Sequence, residues 1–225
     1  MNRFLEDINM NGKNLTIAGI ILMTVMILTK LFNIPKIADF SLLVGIACFF
    51  IVEALDKTPD EESGLRFSTI FSDLKKCSPL FWLILPIVSS LGSILLSKVL
   101  FGSQFVDHVL SRVDNILNFE DTLMLILRLA IGALGEEIAF RGFFVGKGAG
   151  IMGFWPAAIL SSAVFALAHL ATGSTAIVVY DLTGIFIDAI IYSLAFRYAR
   201  NCLVSSISHF LINVVGLIFT FLLFR

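Results

Sequence analysis

Long stretches of this chain contain almost nothing that water would hold. "LTIAGIILMTVMILTKLF" (15–32), "LFWLILPIVSSLGSILLSKVL" (80–100) and "NCLVSSISHFLINVVGLIFTFLLF" (201–224) are continuous apolar runs. About 20 such residues cross the hydrocarbon core of a bilayer. In lipid only helices and closed barrels satisfy their own backbone hydrogen bonds, and barrel strands alternate in short segments. The runs are continuous and rich in Leu, Ile, Phe and Ala, so the fold class is all-α, a polytopic transmembrane helix bundle. Composition agrees: of 225 residues, 58% are hydrophobic and 15% charged, whereas a soluble domain carries about 25% charged residues.

Seven spans are expected, near 15–32, 38–55, 80–100, 120–146, 153–171, 175–196 and 201–224, and an eighth, short or re-entrant helix stays open. The second is weakened by Asp39 and Glu53, and Pro86 and Gly92 favour a kink in the third. The chain is expected to be one membrane domain over 1–225. Two connections have an apolar helical face. One carries Phe67, Ile70, Phe71 and Leu74; the other carries Phe105, Val109, Val113 and Leu117, with Asp107, Arg112 and Asp114 opposite. Interfacial amphipathic helices lying flat on the membrane are expected there, with a soluble cap as the alternative. His108, in the second connection, is expected at the surface.

Of the Lys and Arg in connections and at span ends, nine fall on the N-terminal side and five on the other. That asymmetry places the N-terminus in the cytoplasm of a multi-pass protein of the cell membrane. The net charge of −1 and the lack of a basic tail give no reason to expect nucleic acid. Cys48, Cys77 and Cys202 have no paired spacing and are expected as free thiols. No cleavable leader is expected.

Ionisable groups inside spans are expensive and usually functional. Here they are Arg128, Glu136, Glu137, Arg141, His169, Asp181, Asp188 and His209, with Asn213 as an uncharged companion. Glu137 and Arg141 stand i,i+4 and can pair, while Glu136, about 100° around the helix, points elsewhere. His209 and Asn213 share a face, as do Phe165 and His169. With a turn near Lys147–Gly150, Glu136 lies ~15 Å and His169 ~20–24 Å from it; His209 and Asn213 lie ~13 and ~20 Å above Arg200, at the helical rise. The depths overlap, so three helices can form one polar cluster.

Such a cluster suits hydrolysis. A glutamate can act as general base near neutral pH, His169 can help hold or deprotonate the same water, and His209 and Asn213 can donate to the oxyanion of an attacked amide. No Ser or Cys stands out as a nucleophile. A metal is the competing chemistry: Glu136, His169 and His209 match the two-histidine, one-carboxylate set of catalytic zinc sites, with Glu137 as base. The HExxH spacing is absent, however, so no cofactor is expected and zinc is the alternative.

The motifs "EEIAFR", "FALAH" and "HFLIN", in order over roughly 120–216, fit the patterns EExxxR, FxxxH and HxxxN. With the run "AAILSSAVFALAH", they make the chain resemble the CAAX protease and bacteriocin-processing family of intramembrane proteases, which includes the eukaryotic Ras- and a-factor-converting enzyme. The resemblance implies that 120–216 is a catalytic core. Within it Glu136 would activate water, His169 would assist, and His209 and Asn213 would form the oxyanion site. Glu137 and Arg141 would orient these groups or touch substrate, in a glutamate mechanism without metal. Asp188 stands where related proteins often have glycine, and would alter substrate fit or pair with Arg128. The compact chain is similar to the bacterial branch, so the expected substrate is a membrane-embedded or lipidated peptide or protein rather than a CAAX protein as such. A non-catalytic scaffold, regulator or bacteriocin-immunity protein keeping this fold is the alternative. An ion pathway is a third reading, against which stands the lack of an internal repeat.

Overall fold

A computed structural model describes residues 2–32, 34–57, 64–113 and 122–224. Asp114, Leu117 and the first two residues of the fourth expected span (120 and 121) lie outside these residues. α1 (Asn2–Leu28) is followed by a short 3-10 turn, α2 (Pro35–Asp39) and α3 (Ser41–Asp56). After a connection come α4 (Ile70–Lys76), a π-helical turn Leu80–Ile84, α5 (Leu85–Phe101) and α6 (Ser103–Val113). Pro86 has no N–H for the carbonyl of Trp82, and the widened turn falls at that place. α7 (Thr122–Glu137) runs on through a π-helical stretch, Ile138–Lys147, into α8 (Gly148–Met152). α9 (Phe154–Ala168), α10 (Thr175–Ala199) and α11 (Cys202–Phe224) complete the chain.

Among the described residues five helices are long and apolar enough to cross a membrane: Gly12–Phe32, Pro35–Asp56, Leu80–Phe101, Thr175–Ala199 and Cys202–Thr220. The fourth and fifth expected spans are helical but differ in kind. The fourth carries Arg128, Glu136, Glu137, Arg141 and Lys147 along one continuous helical path. The fifth is a helix of 15 residues, ~22 Å long at the helical rise, against ~30 Å of hydrocarbon. The expected turn at Lys147–Gly150 is corrected. The helix continues to Met152 and breaks at Gly153, whose φ of 84° lies in the left-handed region that glycine alone enters freely.

α1 and α3 pack side by side and against the π-helical stretch. Met23, Phe49, Ala139, Phe143 and Phe144 are fully buried there. Between helices in lipid, close packing rather than escape from water holds the contact, so small residues matter. A Cβ on Gly45 would stand 2.7 Å from the Ala139 Cβ and 2.8 Å from the Met23 Cε. Gly45→Ala is therefore expected to destabilise the bundle by roughly 1–3 kcal/mol, read as a lower thermal midpoint in detergent.

α4 presents its phenylalanines outward and turns an acid inward. Phe67 and Phe71 are 66% and 78% exposed, whereas Asp73 faces inward and is fully buried. The cause is a network: Arg66 (3.0 Å), Thr69 (2.7 Å), Lys76 (2.9 Å) and Asn201 (3.0 Å) all donate to its carboxylate. Burial works against the charged form, but these donors outweigh it and hold the carboxyl well below its ordinary range. A depressed carboxyl contributes stability that is present above its unfolded value, near ~4, and is lost as pH falls below it. Asp73→Asn is thus expected to lower the thermal midpoint at pH 7, and the gap from wild type is expected to shrink steadily below about pH 4.

α6 departs from expectation at one residue. His108 is buried, not superficial: its Nδ1 lies 2.9 Å from the Thr172 carbonyl and its Nε2 3.3 Å from Asp181 Oδ2. Phe105 is buried against Tyr180, edge to face at 5.6 Å. This helix packs onto the bundle, with Phe105 and His108 against α10. Cys48, Cys77 and Cys202 are buried free thiols.

Candidate active site

A cavity of about 730 Å³ opens between α5, α6, α7, α9, α10 and α11. Glu136, Phe165, His169, His209 and Asn213 all line it. Three elements bring them there. Glu136 projects from the last turn of α7. His169 is the residue at which α9 ends, its backbone N–H donating to the Ala166 carbonyl. His209 and Asn213 follow one another on a face of α11. α7 packs on α11, and α9 packs on the π-helical stretch, where Ser161 Oγ donates to the Phe140 carbonyl at 3.2 Å. Lys30, from the first span, donates to the Ala168 carbonyl. A cation suits the C-terminal end of a helix, and this one ties α1 to the end that carries His169.

Both imidazoles turn the same atom toward the same carboxylate oxygen. His169 Nε2 lies 4.0 Å and His209 Nε2 3.8 Å from Glu136 Oε2. Their other nitrogens fix this orientation. His169 Nδ1 is 2.8 Å from the Phe165 carbonyl, and His209 Nδ1 is 3.1 Å from Glu137 Oε1. Both partners are acceptors, so each Nδ1 donates to its own and each Nε2 is left facing Glu136.

The two glutamates have opposite settings. The side chain of Glu136 is 28% exposed to the cavity, while that of Glu137 is 0% exposed. Glu137 pairs with Arg141 NH1 at 2.9 Å, as its i,i+4 spacing predicts. Arg141 NH2 donates to the Ala189 carbonyl at 3.1 Å, and its guanidinium lies over the Phe165 ring at 4.5 Å. Phe165 is thereby a shared wall, 4.6 Å from the His169 ring and 5.9 Å from that of His209.

Tyr192 is a site residue that sequence reasoning missed. It is buried and stacks on His209 at 4.8 Å and 18°. Its signal was present, since it stands one turn beyond Asp188 on α10. Asp188 and Arg128 line the same cavity, as do Asp39 and Asp181.

Zinc was the alternative chemistry. Among the described residues no group of three or more His, Cys, Asp or Glu side chains is arranged to hold a metal ion. No step below runs through a metal ion.

Fold and site together define a multi-pass helical membrane protein with a carboxylate and two imidazoles gathered in a cavity between its helices. Residues 118–215 match the family model of the type II CAAX prenyl endopeptidase, Rce1-like, and this segment holds all three motifs. No curated protein and no solved structure matched the chain.

Proposed function

We propose that the protein is an intramembrane endopeptidase that hydrolyses a peptide bond of a membrane-embedded or lipidated substrate with water activated by Glu136. The observation that carries this reading is the convergence of two fixed imidazole Nε2 atoms on one oxygen of a glutamate inside a cavity. Gaps of 3.8 and 4.0 Å exceed a direct hydrogen bond and are of a size that one water bridges.

Glu136 takes a proton from that water as its oxygen attacks the carbonyl carbon. His169 Nε2 accepts a hydrogen bond from the same water and aims it. The negative charge that grows on the carbonyl oxygen is met by the Asn213 amide and by the imidazolium form of His209, whose Nε2 proton comes from cavity water before attack and whose charge the Glu137 carboxylate at Nδ1 offsets. The proton held by Glu136 then passes to the leaving nitrogen as the C–N bond breaks. Glu137 and Arg141 position His209 and Phe165 without touching the reacting atoms.

Seven crossings follow if α9 and the charged path through α7 and the π-helical stretch are counted with the five apolar helices. Arg66, Lys75, Lys76, Lys147, Arg197 and Arg200 belong to loops and helix ends on the side of the expected N-terminus, which the positive-inside rule places in the cytoplasm.

The test is cleavage of membrane-inserted peptides by the purified chain in nanodiscs, with products identified by mass spectrometry. Activity is expected to survive exhaustive chelation, with no stoichiometric metal by elemental analysis. Loss on chelation and recovery with zinc would overturn the metal-free route.

A further inference from the structure

A second cavity, of about 520 Å³, opens where the π-helical stretch ends, α9 begins and α10 gives way to α11. It shares no lining residue with the active-site cavity. Its floor is apolar: Phe196, with the backbone of Gly142 and Gly146. A Cβ on Gly146 would meet the Phe196 ring at 3.1 Å, so glycine keeps this floor open. Its walls carry four cations, Arg66, Lys147, Arg197 and Arg200, and among the described residues no acid lines it.

The four cations are not equivalent. Arg66 is engaged by Asp73 at 3.0 Å and Lys147 by Glu53 at 3.1 Å. Among the described residues Arg197 and Arg200 make no ion pair. Arg197 is spread over the rings of Phe154 and Trp155, at 4.3 and 5.9 Å, which holds its guanidinium in one place and leaves its N–H edge for an anion. α9 also opens here, at Phe154, with no side-chain cap. Uncapped N–H groups at the start of a helix favour negative charge.

Depth selects the anion. Arg200 follows the last residue of the apolar helix Thr175–Ala199 and precedes the apolar helix Cys202–Thr220. Trp155 and Tyr198 stand beside the cavity, each 51% exposed. Such rings mark the level of lipid headgroups. An apolar floor under a rim of arginines at that level fits a phosphate with a glycerol backbone beneath it.

We infer that this cavity is a binding site for the phosphate headgroup of an anionic phospholipid, held by Arg197 and Arg200. Basic pockets between membrane helices recognise such headgroups. The site lies at the far end of the helical path that carries Glu136, Glu137 and Arg141, so a lipid seated there steadies the element that positions the active site. The inference does not depend on the peptidase reading, because binding alone tests it.

The experiment uses the full chain in nanodiscs of phosphatidylcholine into which phosphatidylglycerol is titrated. It reads lipid retention by native mass spectrometry and the thermal midpoint. Wild type is expected to retain phosphatidylglycerol in preference to phosphatidylcholine. R197Q/R200Q is expected to raise the half-saturating phosphatidylglycerol fraction by about tenfold or more. K75Q, which removes an exposed charge outside the cavity, is expected to change it by less than about twofold. R197K/R200K keeps the charge and is expected to fall between, and it stands in for the glutamine variant if that one melts early in pure phosphatidylcholine. Equal effects of K75Q and R197Q/R200Q overturn the site in favour of a diffuse surface charge. No preference in wild type also overturns it. A final arm adds inorganic phosphate in neutral detergent at constant ionic strength. Stabilisation equal to that by lipid assigns the site to the soluble anion and overturns the lipid.

Discussion

Glu136→Gln is expected to lower the rate of peptide cleavage by about 10²–10⁴-fold, the range lost with a general base, while leaving the fold intact. Glutamine keeps the shape of the side chain and can still hydrogen-bond a water, but it cannot take the proton. The fold should tolerate the change because this carboxylate faces the cavity, with 28% of its side chain exposed, and does not lie in the packed interior. The measurement is single-turnover cleavage of a membrane-inserted peptide, with the thermal midpoint recorded beside it. Cleavage at the wild-type rate would remove Glu136 as the base and with it the whole hydrolytic scheme. His169→Ala should also slow the reaction, by a smaller factor, because an aimed water becomes a loosely held one.

Arg141→Ala is expected to produce the largest loss of stability, about 3–5 kcal/mol, as breaking a buried ion pair does when one partner remains. Arg141 and Glu137 are both fully buried. Removing the guanidinium strands the Glu137 carboxylate in a low-dielectric interior and also removes the cation lying over Phe165. A sharper form of the prediction uses the pair. Arg141→Met with Glu137→Gln removes both charges, and should recover much of the midpoint lost by Arg141→Met alone, since an uncharged pair leaves no stranded ion. Activity should not return with stability, because His209 loses the carboxylate at its Nδ1. A double variant no more stable than the single one would show that the two residues act separately.

These two neighbours show what was legible in the sequence. Spacing alone assigned Glu137 to Arg141 and set Glu136 apart, because i,i+4 geometry is local. The gathering of Glu136, His169, His209 and Asn213 followed from depth along three helices, which the constant helical rise makes computable. What failed depends on partners distant in sequence. His108 sits on the polar side of an amphipathic pattern and was placed at the surface. Its burial is decided by Asp181, 73 positions away on another helix. Asp73 is drawn inward by Asn201, 128 positions on, a contact that no local pattern announces. The turn after the third polar residue was misplaced because the glycines of "GKGAG" look like a break, yet the helix passes through them and stops at Gly153. The number of crossings was the least legible feature. A charged path and a helix of 15 residues are the poorest matches to a simple hydropathy pattern, and they are the elements that bear Glu136 and His169.

The brevity of α9 has a physical consequence for the surrounding lipid. A rod ~8 Å shorter than the hydrocarbon layer creates a mismatch, which acyl chains relieve by shortening and tilting around it, so the bilayer thins locally. The dimple forms beside the end of α9, where His169 stands. Polar headgroups and water therefore descend toward Glu136, the proposed base, instead of its carboxylate having to rise to them. A substrate helix drifting into that thinned ring no longer has a full hydrocarbon coat, and the turn left uncovered is the one easiest to unwind and present as an extended peptide bond.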